Sequence, residues 1–439
     1  LLPTCICECV ENEAQLFESF EKLVARLDPD MLAGFEIQNG SIGYLLQRAE
    51  KLDIRLDRGL SRCPSHPSTV EMRQEFFGDT NSSGLVICGR IIINTWRIIK
   101  DEVKLMSDSY NHVCFHILNK RVPDIPPDKI TFWYTGKRPP GEPMPPAGDV
   151  WNMRNRAMAV SHFLDRACNA IDMLEAVDIL VRTCELARVF GIDFTSVITR
   201  GSQYRVESMM YRLARTQNYI MMSPSGLQVR DQRPIECIPC VMEPASNFYP
   251  SPVCVTDFRS LYPSVIIAYN MCYCTVLGSA GVDGPGLGCD QHYTRQPGVL
   301  AASCADGNGF AAPNGSMFVS QKQREGILPR MLVEILEARV LVKKLMKSAK
   351  KFGDMSVYRR LNARQFALKL IANVTYGYTS ASATGRMPCR EVADAIVQTG
   401  RESLEGAMRL VGLPRDGSSA PATGSSAGSP TPADWGKVS

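Results

Sequence analysis

Two stretches decide how this chain folds: SPVCVTDFRSLYPS at 251–264 and QFALKLIANVTYGYTSA at 365–381. In the first, the apolar run predicts a strand over 251–257 that ends abruptly on the carboxylate of Asp257. A strand end would hold that carboxylate rigidly, as divalent-metal chemistry requires. The residues that follow, closed by Pro263, read as a tight turn whose successive backbone N–H groups can bind phosphate oxygens. An aspartate that merely caps a turn is the commoner meaning of such a stretch. In the second stretch, Gln365, Lys369 and Asn373 recur at i, i+4 and i+8, with Tyr376 just short of the next turn. They form one polar stripe on an otherwise apolar helix, which predicts a buried or cleft-facing stripe. Gly377 at its end lets another backbone approach closely.

Between these stretches, GILPRMLVEILEARVLVKKLM at 326–346 has apolar residues at helical spacing. It predicts one helix over Leu328–Lys351, followed by a second over Val357–Tyr376. Arg339 and Lys343 share a face, which Lys347 continues. Like charges at that spacing repel by a few tenths of a kcal/mol. From Ser320 to Leu370 there are thirteen Lys or Arg against four Asp or Glu, on a chain whose net charge is only +4. A single basic block on a mildly acidic body points to a local polyanion site, although a merely solvated helix face is the commoner cause.

Outward from this core, the N-terminal region reads as mixed α/β. LFESFEKLVARL (16–27) and SIGYLLQRAEKL (41–52) are amphipathic helices, and DPDMLAGFEI between them is a turn and a strand. VICGRIIINTWRII (86–99) fits a hairpin or two edge strands. Residues 123–147 hold eight prolines and read as a loop; 151–190 return to helical spacing. The segment 218–234 is linker-like, 279–316 is a Gly-rich surface loop, and 416–434 is too poor in apolar residues to bury a core. With 439 residues, 45% of them apolar, the chain can fill two to four domains. No apolar stretch reaches the ~18–20 residues of a membrane span.

Sixteen cysteines are scattered along the chain, several in apolar runs (Cys88, Cys114, Cys168, Cys254, Cys272). They read as buried reduced thiols of an intracellular protein rather than a disulfide framework. Cys5, Cys7 and Cys9 alternate like one face of a strand. Cys237-x-x-Cys240 has metal-ligand spacing, but no second pair or paired histidine follows, so zinc is not expected there.

These residues carry a resemblance. DFRSLYPS resembles motif A of family B DNA polymerases, and KLIANVTYG, with Lys, then Asn four residues on, then Tyr-Gly, resembles their motif B. The helix with Arg339 and Lys343 resembles the fingers helix that separates them. RGSQYRVESMMYRLA (200–214), MLEAVDILVRTCELARVFGIDF (173–194), GFEIQNGSIGYLLQRA (34–49) and NVTYGYTSASATGRMPC (373–389) are similar to the zeta lineage of that family, the translesion enzymes.

The resemblance implies a multidomain fold of α/β plus α+β type. An RNase H-like exonuclease-type domain would occupy 1–195, and palm with motif A and a Gly-rich loop 196–325. Helical fingers with motif B would follow at 326–385, a return to palm at 386–415, and a low-complexity tail at 416–439. It also implies two-metal nucleotidyl transfer from dNTP to a primer 3′-OH, with two Mg2+ ions. Asp257 would bind metal, helped by the Phe258 carbonyl. Amides around Ser260 and Leu261 would meet the triphosphate, and Tyr262 would be the steric gate against a ribose 2′-OH. Arg339, Lys343 and Lys369 would be triphosphate cations with Asn373 beside them. Tyr376, followed by Gly377, would pack against the nascent base pair. Implied partners are primer–template DNA, dNTPs and the zeta accessory subunits; the implied compartment is the nucleus.

Two departures from the family stand out. The proofreading segment here reads IQNGSIGYLL, with Gly40-Ser41 where the family has a catalytic Asp, and the third exonuclease motif is not found, so 1–195 is expected to be an inactive scaffold. Motif C (YGDTDS), the thumb and the Cys-rich terminal region that holds an iron–sulfur cluster in the family have no counterpart in this sequence. The chain as it stands is therefore expected to be inactive alone. The alternative is a catalytically incompetent, polymerase-derived DNA-binding or scaffold fragment, and an open reading frame continuing into YGDTDS would decide against it.

Overall fold

The computed structural model describes residues 8–63, 85–136, 149–236, 239–243, 246–280, 286–305, 307–381 and 385–412. Helix α1 (Glu13–Leu27) starts at Asn12, whose side chain accepts the Gln15 N–H, and ends at Asp28 in the left-handed region. Strand β1 (Met31–Gly34) follows, then α2 (Ile42–Lys51) and α3 (Leu56–Leu60). Phe17, Val24, Leu46, Leu56, Leu60, Leu85 and Ile87 close a small core beneath them. Strand β2 (Ile91–Asn94) pairs in parallel with β1, Met31 opposite Ile91.

Helix α4 (Thr95–Glu102) begins where β2 stops, so 86–99 is one strand and one helix, not a hairpin. The cause is Asn94, whose side chain accepts the Arg97 N–H and so turns the β-branched run into a helix start. Next come α5 (Tyr110–Leu118), α6 (Pro127–Thr135) and the long α7 (Asp149–Ala176). Helix α6 corrects the expectation of a loop over 123–147: Pro127 sits at the first helical position, where its fixed φ and missing N–H cost nothing. Ile99, Tyr110, Val113, Cys114 and Met173 bury together where α4, α5 and α7 meet.

The second half is built on one large core. Into it run α8 (Ile179–Phe190), α9 (Phe194–Thr199) and α10 (Ser202–Thr216). Helix α11 (Gly226–Asp231) lies in the segment read as a linker, started by a reciprocal capping box between Ser225 and Gln228. Helix α12 (Leu261–Ala268) leads to β3 (Val276–Ser279), and α13 (Val299–Ala305) precedes β4 (Gly309–Ala311) and β5 (Ser316–Val319). The strands form an antiparallel sheet in the order β3-β5-β4, so 279–316 is more than a surface loop. Its strands are too short to show a period above their glycines.

Helices α14 (Ile327–Phe352) and α15 (Met355–Ser380) are an antiparallel pair that reverses at Gly353, φ +76°, where Asp354 caps α15 by accepting the Val357 N–H. Helix α16 (Arg390–Gly412) closes the layer. Phe190, Met210, Ile266, Phe318, Leu328, Leu332, Leu368, Ile371, Tyr378 and Ile396 are the centre of this core. A polar link joins two of its helices. Glu185 of α8, 2% exposed, accepts two hydrogen bonds from Arg364 of α15, at 2.9 and 2.7 Å.

Residues 251–257 are not a strand. They run exposed and pair with no strand among the described residues. β-propensity favours a strand only where a neighbouring ladder exists. Cys114 and Cys272 are buried and every cysteine described is free, but Cys168 and Cys254 are exposed, against expectation. Cys5, Cys7, Cys237 and the tail at 416–439 lie outside the described residues.

Candidate active site

Asp257 and Phe258 lie at the exposed end of the extended segment, so the carboxylate is placed by a turn and not by a strand end. Ser260 takes φ +55°, the left-handed conformation, and is the N-cap of α12. Pro263 sits inside the first helical turn rather than closing the turn, at a position that tolerates proline. The Ser264 N–H donates to the Ser260 carbonyl at 2.9 Å, and the Ser264 hydroxyl to the Arg259 carbonyl at 3.4 Å. The left-handed residue followed by the start of a helix directs N–H groups at Leu261 and Tyr262 outward, unused by the helix itself.

The Tyr262 ring meets Tyr376 of α15, centroids 4.7 Å apart and planes tilted by 41°. Burial pushes its hydroxyl pKa up. It also lies against Gly400 of α16: a Cβ there would stand 3.1 Å from Tyr262 Cε1 and 3.4 Å from Cδ1. No Cβ at Gly377 would meet any atom within 4 Å, so the end of the α15 stripe is open to a flat partner.

Basic side chains gather beside this pair. The Arg339 Nε donates to Gln365 Oε1 at 3.1 Å, which fixes the guanidinium of α14 against α15. Lys343 is held below the usual lysine value, first by the charge of Arg339, then by burial and by Arg259, Lys369 and Lys347. Arg339 is itself lowered, by burial and then by Arg259. None of these five cations forms an ion pair among the described residues. A cluster that repels itself this way concentrates polyanions. Lys369 and Asn373 are exposed on the same stripe as Gln365.

Thus Tyr262 meets Tyr376, and Lys343, which shares a face of α14 with Arg339, lies near enough to Lys369 of α15 for its charge to be felt. Arg259 and Gly400 were missed. Arg259 was readable as a charge beside Asp257, and Gly400 as a lone glycine inside a helical pattern. Metal ligation is only half provided. Asp257 and the Phe258 carbonyl are suitable oxygen donors, but no three His, Cys, Asp or Glu side chains cluster among the described residues. Two divalent ions ~3.5–4 Å apart need more carboxylate than that, so the described residues do not complete such a site.

A cavity of about 1530 Å³ lies elsewhere along α16, lined by Glu391, Asp394, Arg401 and Glu405 and by the glycine-rich segment. In the first half, Gly40-Ser41 falls in the turn between β1 and α2. The Ser41 hydroxyl is buried without a hydrogen-bond partner among the described residues. Glu36, the carboxylate nearest in sequence, is engaged by the side-chain amides of Asn94 and Asn39, at 3.0 and 3.2 Å.

The sequence profile of DNA polymerase family B matches residues 192–422, and that of the family B exonuclease domain residues 2–113. This chain belongs to DNA polymerase family B. Within it, the chain is similar to the DNA polymerase zeta catalytic subunits: 44% identical over 428 residues to that of Arabidopsis thaliana, covering 91% of this chain and 22% of the relative. To the human subunit it is 43% identical over 408 residues, covering 91% of this chain and 12% of the relative. It therefore spans a quarter or less of these proteins. The family B DNA polymerase of Pyrobaculum calidifontis shares the fold, with a TM-score of 0.58 at 22% identity, covering 93% of this chain and 46% of that one.

Proposed function

We propose that this chain is the nucleotide-selecting part of a translesion DNA polymerase that extends a primer–template with dNTPs in the nucleus. The observation that carries this is the convergence of three helices: Tyr262 from α12, Arg339 and Lys343 from α14, and Lys369 and Tyr376 from α15. Palm at 196–325, fingers at 326–385 and returning palm at 386–415 are the division this reading gives.

The cations, with the backbone amides around Ser260 and Leu261, bind a triphosphate. Gln365 orients Arg339 toward it, and Asn373 lies alongside. Tyr262 stands where a ribose 2′-OH would fall, backed by Gly400 and Tyr376. The open stripe end at Gly377 receives the nascent base pair. Asp257 and the Phe258 carbonyl are donors toward Mg2+, which in the complete site supplies charge neutralisation and an activated primer hydroxyl. The similarity to zeta catalytic subunits also supports accessory subunits as partners of the complete protein. Residues 1–195 act as scaffold.

The test is Lys369→Ala, measured by binding of a non-hydrolysable dNTP and, separately, of primer–template. Nucleotide affinity should fall at least tenfold while DNA affinity changes less than twofold. Equal loss of both, with a reduced salt slope, would make Lys369 a DNA-backbone contact and refute the reading.

A further inference from the structure

Cys272 and Cys274 flank Tyr273 on the connection from α12 to β3. In a strand their side chains would share a face but stay apart. Here the chain turns, with the N–H groups of Thr275 and Val276 both donating to the Cys272 carbonyl, at 3.2 and 3.1 Å. That turn brings the two sulfurs to 3.5 Å. The Cys272 sulfur is buried and also accepts the Leu328 N–H at 3.3 Å, in the first turn of α14. Cys274 is half-buried and lines a largely apolar cavity of about 560 Å³, open enough for a small oxidant.

The four thiols around this cavity are not alike. Burial pushes Cys272 and Cys389 well up and Cys289 up to about 11. Cys274 goes the other way, pulled down to about 6. Hydrogen bonding from the Cys272 thiol is the main cause. The Ile327 N–H and the charge of Arg324 assist, and burial opposes. The Arg324 guanidinium is close, donating to the Cys274 carbonyl at 3.2 Å. A partly accessible thiolate in contact with a second thiol is the reactant state of a dithiol oxidation.

We propose that Cys272 and Cys274 are a redox-active dithiol, which hydrogen peroxide converts to an intramolecular disulfide. The Cys274 thiolate attacks peroxide: an S–O bond forms, the O–O bond breaks, and hydroxide leaves and is protonated to water. The Cys272 sulfur then attacks the Cys274 sulfur. The S–S bond forms, the S–O bond breaks, and the Cys272 proton departs with the hydroxyl as water. Two thiols lose two electrons, and one peroxide becomes two waters. The sulfurs must approach by about 1.5 Å to reach the ~2.05 Å disulfide length. That motion withdraws Cys272 from the Leu328 N–H, at the root of the helix that carries Arg339 and Lys343.

The experiment uses the whole chain, reduced and then exposed to peroxide. The tryptic peptide 260–295 holds Cys272, Cys274 and Cys289 and no internal Lys or Arg. After blocking of remaining thiols it should carry one label and weigh 2 Da less than its singly labelled reduced form, reversibly with dithiothreitol. Chymotryptic cleavage after Tyr273 should leave the two halves joined. Cys274→Ser should abolish the change and Cys289→Ser should not. The unmodified protein supplies a second readout. At pH 6, a thiolate fraction near one half against about 0.3% for an ordinary thiol, offset by weaker nucleophilicity, makes Cys274 alkylate about tenfold faster than glutathione. Three free thiols after oxidation, a bond through Cys289, or alkylation no faster than glutathione would each overturn the proposal.

Discussion

Gly400→Ala tests whether the wall behind Tyr262 is real. Carbon atoms attract best at ~3.5–4.0 Å, and the new Cβ would stand 3.1 Å from Tyr262 Cε1 and 3.4 Å from Cδ1, with Leu261 Cδ2 at 3.8 Å. The ring must therefore yield by roughly half an ångström. It has little room, because Tyr376 lies 4.7 Å away, centroid to centroid. Two opposing energies follow. Replacing a mid-helix glycine by alanine favours α16 by ~1 kcal/mol. Overpacking a buried contact costs ~1–3 kcal/mol. The sum is a protein between unchanged and about 2 kcal/mol less stable, where an unconstrained helix glycine would give about 1 kcal/mol of stabilisation. In the full-length enzyme, single-turnover incorporation should show dNTP affinity reduced about three- to tenfold, the equivalent of ~0.7–1.4 kcal/mol. The effect should vanish in a Tyr262→Ala background, because the two sites act through one contact. A full helix-propensity gain with dNTP affinity unchanged, or strict additivity with Tyr262→Ala, would show that Gly400 does not set the ring.

Tyr262→Ala by itself should raise ribonucleotide relative to deoxynucleotide incorporation by an order of magnitude or more, read from competing kcat/KM values; unchanged discrimination removes Tyr262 from sugar selection. Lys343 is held below the ordinary lysine value by its neighbouring cations, so it loses its charge sooner as pH rises. Inorganic triphosphate should accordingly bind fully at neutral pH and weaken as pH rises through that lowered value, and Lys343→Arg should flatten this alkaline fall. With Gly40-Ser41 in place of an acid, the chain should not degrade a mismatched primer in magnesium or manganese; excision by pure protein would mean that Glu36 or another carboxylate completes a nuclease site.

The long helices were legible because their apolar spacing repeats over many turns: α14 and α15 run within a few residues of where the pattern places them. The cation cluster followed from their pairing, since Arg339, Lys343 and Lys369 could gather only if the two helices lay side by side. What the sequence did not show depends on partners distant along the chain. VCVTD has strand propensity, yet no ladder lies beside it among the described residues. Asn94 turned a β-branched run into a helix, a local signal that the run itself concealed. Gly400 and Arg259 carry no pattern of their own, and their meaning appears only when α16 and the Arg259 turn come to lie against Tyr262 and Arg339.

The link from Glu185 to Arg364 gives α8, which packs into the large core of the second half, a second kind of importance. Arg364 precedes Gln365, and Gln365 holds Arg339. A buried acid on α8 is thus two contacts from a cation of the basic cluster, along a rigid stretch of helix. The exposed side chains of α8 are free to change, but the place of the helix is not. It serves as the foundation on which the α15 wall is set true, and a shift of α8 would be felt as a displaced Arg339, a side chain two contacts away. Replacing such a helix for want of chemistry would remove the bearing and leave the lever.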